Sequence, residues 1–276
     1  MEAGGGAGEV RHWNAAVNGI TLHVAEQGPA SGPAVLLLHG FPELWFSWRH
    51  QMAALARAGF RALAPDLRGY GDSEAPAEAA AYTMLHIVGD VVALLDHLRL
   101  PKAFVVGHDW GAQVVWHLCL FRPDRVRAAV ALGVPYFPRS PVPVMEIFAA
   151  RGDGFYVMQF QVSCIFFLHF FSQKENPEEL KGHLLVTMLQ LNWKLTAPWN
   201  GAKITVPAKF IVGDKDIGFQ SYGIGHYITS KDFKSSVPDL EVAIIDGHHF
   251  LQQEQPDKVN SEILSYLEKF KISELA

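Results

Sequence analysis

Cysteine is scarce. The 276 residues contain two, Cys119 and Cys164, too few for a disulfide framework. No CxxC pair and no cysteine–histidine cluster has metal-site spacing, so no metal is expected, and both thiols read as small buried apolar groups. Charge is also sparse. Charged residues make up 18%, and 23 lysines and arginines against 28 acids leave a net charge of −5. That balance offers no basic surface for nucleic acid or an anionic membrane. The glycine-rich residues 1–9 lack the basic-then-apolar pattern of a signal peptide and the Arg-rich pattern of a transit peptide. Glu274-Leu275-Ala276 is no peroxisomal or reticulum address, and the expectation is a cytoplasmic protein. Residues 154–173 carry no charge, but Gln159, Gln161, Ser163, His169 and Gln173 interrupt the run. A lid-forming aromatic segment therefore fits it better than a membrane span.

Apolar residues are plentiful, at 49%, enough for one large core. Short β-type runs at 20–26, 35–38, 61–64, 103–106 and 126–132 alternate with helical patterns, followed by further runs at 208–212 and 240–245. The clearest helix is 83–98, capped by Thr83, with Met84, Ile87, Val88, Val91, Leu94, Leu95 and Leu98 at helical spacing. A final amphipathic helix covers 256–270. Buried, non-alternating strands between helices predict an α/β fold, a mostly parallel sheet with helices on both faces. The alternation stops between Pro138 and Trp199, which reads as an insertion over the C-terminal edge of the sheet. The organisation is a core first part (1–137), a shortened lid (138–198) and a core second part (199–276).

The chemistry concentrates at Gly107-His108-Asp109-Trp110-Gly111, between the apolar run 103–106 and a helix-competent segment. Strand, glycine-flanked turn and helix make the setting of a nucleophile elbow. Here the central residue is aspartate, a carboxylate that is already anionic at neutral pH. Such an elbow needs an acid and then a histidine downstream. Asp214 and Asp216 end one later strand, and His248 and His249 end the next, so spacing leaves each partner ambiguous. His39-Gly40-Phe41-Pro42 follows an earlier strand and can aim the Phe41 amide, with that of Trp110, as an oxyanion hole. His108, His117, His226 and Cys119 read as structural.

At these motifs the chain resembles the α/β-hydrolase superfamily, and within it the plant-type soluble epoxide hydrolases. The matching segments include Leu38-His39-Gly40-Phe41-Pro42-Glu43, Asp66-Leu67-Arg68-Gly69-Tyr70-Gly71-Asp72-Ser73, Gly107-His108-Asp109-Trp110-Gly111 and Leu195-Thr196-Ala197-Pro198-Trp199. The resemblance implies Asp109 as nucleophile, Asp216 as orienting acid and His249 as base, acting on a small hydrophobic epoxide and water without cofactor or metal. It also implies two acidic lid tyrosines. Tyr156 matches the first, while the second is absent from His183-Leu184-Leu185-Val186-Thr187-Met188-Leu189-Gln190. The lid is about fifty residues short of the family's, and 162–171 matches no part of it, as in a spliced or mispredicted product. Two alternatives follow: a lid-impaired isoform or hydrophobic-ligand binder, and an Asp-nucleophile dehalogenase. Against the second, Phe41 stands where a halide-binding N–H would help. Monomer and homodimer are both compatible with the sequence.

Overall fold

The computed structural model describes residues 8–150, 189–221 and 223–271. Among them eight strands form one sheet in the order β1-β2-β4-β3-β5-β6-β7-β8. These are β1 (Arg11–Val17), β2 (Ile20–Gln27), β3 (Ala34–Leu38), β4 (Arg61–Pro65), β5 (Ala103–His108), β6 (Val126–Leu132), β7 (Ala208–Gly213) and β8 (Leu240–Ile245). β1–β2 and β2–β4 pair antiparallel; every other neighbour pair is parallel. Seven strands lie where apolar runs predict them. β1 was not expected from sequence: its residues Arg11, His12, Asn14 and Ala16 are exposed, so it carries no apolar run.

Strand side chains alternate between two apolar layers. Leu36, Leu38 and Val105 join the layer under α2 (Met84–His97) and α3 (Trp110–Phe121). Val35, Leu37, Phe104 and Val106 join the layer under α1 (Arg49–Arg57) and the last described helix, Pro256–Glu268. The central strands are buried on both faces, which is why they read as unbroken apolar runs. α2 begins as expected, with Thr83 Oγ1 accepting the His86 N–H.

The described segments on either side of residues 151–188 are tied together. α4 (Val144–Ala149) packs on α5 (Leu189–Leu195). The Arg139 guanidinium lies 4.0 Å from the Trp193 ring centre and donates to its carbonyl at 3.0 Å, while Trp193 Nε1 donates to Ser140 O at 2.9 Å. Asn192 Oδ1 accepts the Met84 N–H at 2.8 Å, joining α5 to the start of α2. Three short helices follow β7: α6 (Ile217–Ser221), α7 (Ile224–Thr229) and α8 (Lys231–Ser236). α9 (Leu251–Glu254) and α10 (Pro256–Glu268) follow β8.

Candidate active site

The turn between β5 and α3 is tightly constrained. Asp109 has φ 54° and ψ −117°, a conformation costly for any residue with a side chain. Glycines make the turn possible: a Cβ on Gly107 would meet the Gly111 carbonyl, and one on Gly111 would meet that of Leu38. The Asp109 N–H donates to Leu132 O at 3.1 Å, fixing the turn on β6. The carboxylate then nests against the turn after β3, where a Cβ on Gly40 would lie 2.5 Å from Asp109 Cβ. Phe41 N–H donates to Asp109 Oδ1 at 2.9 Å. Trp110 is the first residue of α3, so its N–H has no intrahelical acceptor, and the helix N-terminus favours an anion there.

His249 completes the cluster. Its Nε2 lies 3.4 Å from Asp109 Oδ2, and its Nδ1 lies 2.6 Å from Asp216 Oδ2. Asp216 is held in turn by the Gly218 N–H on Oδ1 at 2.6 Å. The structure thus separates the two ambiguous pairs. His248 faces Glu254 at 3.0 Å, and Asp214 Oδ1 accepts the Gly247 N–H at 3.2 Å. Asp109 and Asp216 are 7% and 2% exposed, and the His249 side chain 26%. Burial opposes the imidazolium, but hydrogen bonds and charge from Asp109 and Asp216 outweigh it and push His249 up to about 10. Burial likewise opposes the Asp109 anion, yet His249, His108 and the Phe41 N–H hold its carboxyl below the usual range. The arrangement is a buried carboxylate facing a histidine that a second carboxylate orients.

The α/β-hydrolase fold family matches residues 33–162. An epoxide hydrolase of Siraitia grosvenorii is 42% identical, over 95% of this chain and 99% of its own. The crystal structure of an epoxide hydrolase from Vigna radiata superposes with a TM-score of 0.89 at 42% identity, covering 95% of this chain and 98% of that one. Potato epoxide hydrolase I gives 0.87 at 39% identity, with 95% and 100% coverage. The chain belongs to the plant epoxide hydrolase family.

Within this epoxide hydrolase fold, two further residues support the site from behind. His108, read as structural, is fully buried with Nδ1 2.7 Å from Glu43 Oε2 and Nε2 2.8 Å from the His249 carbonyl. Gln252 Nε2 also lies 3.2 Å from Nδ1, so both ring nitrogens are engaged. Glu43 also accepts from Gln252 at 2.7 Å and Gln253 at 3.1 Å, tying the turn after β3 to the His249 loop. Burial works against the Glu43 anion, and His108 holds it below the usual range. Tyr156 and Cys164 lie outside the described residues. Among the described residues no helix is long and apolar enough to cross a membrane. The Siraitia alignment spans 316 positions against 276 residues here, so at least 40 positions face no residue of this chain.

Proposed function

We propose that this epoxide hydrolase family member converts an epoxide and water to a 1,2-diol through an ester of Asp109, with His249 as base and Asp216 as its orienting acid. The observation that carries the reading is the asymmetric Asp109 carboxylate: Oδ1 on the Phe41 N–H, Oδ2 toward His249. Oδ2 attacks the epoxide carbon and the ring C–O bond breaks. The leaving alkoxide takes a proton, for which Tyr156 is the proposed donor, recharged by the proton His249 holds at rest. Esterification removes the Asp109 charge that raised the His249 pKa, so the ring becomes a base at the moment one is needed. It then takes a proton from water, whose oxygen attacks the Asp109 carbonyl. The oxyanion forms on Oδ1, against the Phe41 and Trp110 amides. Collapse releases the diol and restores the carboxylate and the imidazolium. In the same reading residues 138–198 are the lid, set between core halves 1–137 and 199–276.

A single turnover with enzyme in excess in H2(18)O tests this. The diol is expected to carry no solvent oxygen, and the label to appear in the Asp109 peptide. Label in the first diol would mean direct attack by water. His249→Gln is expected to hold the ester, detectable by intact mass, and to slow turnover by about 10³-fold or more. A second reading, a site that forms but turns over poorly, is supported by the missing alignment positions and the absent second tyrosine. A wild-type chain that forms the ester but releases almost no diol would favour it.

A further inference from the structure

One line of polar side chains runs from the surface to the back of the oxyanion turn. His12, exposed on β1, places Nδ1 2.9 Å from Nε2 of His23 on β2. The ring planes differ by 9° and the centroids are 5.1 Å apart. That spacing is close to the N···N distance plus a ring radius at each end. The rings therefore meet end to end in nearly one plane, as an in-line N–H···N bond. On its other side His23 presents Nδ1 to Asp66 Oδ2 at 2.8 Å. A carboxylate only accepts, so Nδ1 of His23 carries a proton; in the neutral ring Nε2 is bare and the bridging proton belongs to His12.

Asp66 is where the line reaches the site. Its Oδ1 accepts the Trp45 N–H at 2.9 Å, and the adjacent Leu67 N–H donates to His39 Nε2 at 3.0 Å. The turn from His39 to Trp45, which carries the Phe41 N–H, is thus pinned at both ends to one dipeptide. His12 also meets the Trp45 ring edge-on, with centroids 4.8 Å apart. Asp66 and His23 are only 1% and 6% exposed, so water competes little for these bonds.

We infer that His12 and His23 are positioning residues, which fix the Asp66 carboxylate and through it the oxyanion turn. The inference rests on the ester mechanism above. Charge on Asp109 Oδ1 falls when the ester forms and returns when water attacks it, so a misplaced Phe41 N–H penalises hydrolysis more than alkylation. His12 is the residue to change, because it is exposed and its removal opens no core cavity.

Rapid-quench mass spectrometry of the Asp109 ester, with wild type, His12→Ala and His12→Asn, is the test. In His12→Ala the ester is expected to decay about three- to tenfold more slowly, with kcat and KM falling together. His12→Asn is expected to return decay to within about twofold of wild type, because an amide N–H replaces the Nδ1 donor. A role confined to stability would leave decay per folded molecule unchanged. Should His12→Ala unfold, His12→Asn against His12→Leu asks the same question, and equal decay in the two overturns the inference. Wild-type-like decay in a folded His12→Ala also overturns it while sparing the ester mechanism. No ester in wild type removes both.

Discussion

His249 spends the resting state as a cation between two carboxylates, and that has a measurable cost at high pH. Its ring titrates near 10 in the folded chain against an ordinary 6.5. Between those values the folded state binds more protons than the unfolded one, so stability falls as pH rises through the window. Thermal unfolding midpoints are expected to drop from pH 7 to pH 10. In Asp109→Asn, which removes one of the two charges, the drop should be shallower; an equal slope would detach the effect from this ring. Legibility differs sharply among single residues. Asp109 was readable because strand, glycine and helix surround it in sequence. Asp216 against Asp214, and His249 against His248, were not separable by spacing, because the choice depends on which way each loop turns its side chain. Glu43 and His108 were harder still: the Glu43–Gln252 bond joins residues 209 positions apart, and nothing local marks it.

Among the elements, the elbow is set by close backbone approach. Gly111→Ala is expected to destabilise the chain by about 3 kcal/mol or more, since its Cβ would meet the Leu38 and His39 carbonyls of β3 and the turn after it. Urea unfolding would measure this, and a loss below about 1 kcal/mol would show that the turn can open. The parallel strands were legible because burial on both faces leaves apolar runs, and α2 because fourteen residues give helical spacing room to repeat. β1 was not, since most of its side chains meet solvent. The helices α6, α7 and α8 have five or six residues each, too few for a period to show.

Over the described residues as a whole, the sheet with its two helix layers was legible. The clasp between Arg139 and Trp193 was not, because the two residues meet across 54 positions. Exchanging the segment between Ser140 and Asn192 for the corresponding one of the Siraitia relative is expected to shift the melting temperature by only a few degrees, while changing kcat/KM by about tenfold or more. A collapse of stability would show that the core needs this particular segment. Loop closure costs only about 0.6 kcal/mol per doubling of length, so chain strung between two fixed points weighs little on the body that holds them. The Arg139–Trp193 clasp can be seen as a boundary between two rates of change. Changes of length or composition inside it are expected to cost the fold little, while outside it the carboxylate, its histidine and their sheet are held by contacts of their own.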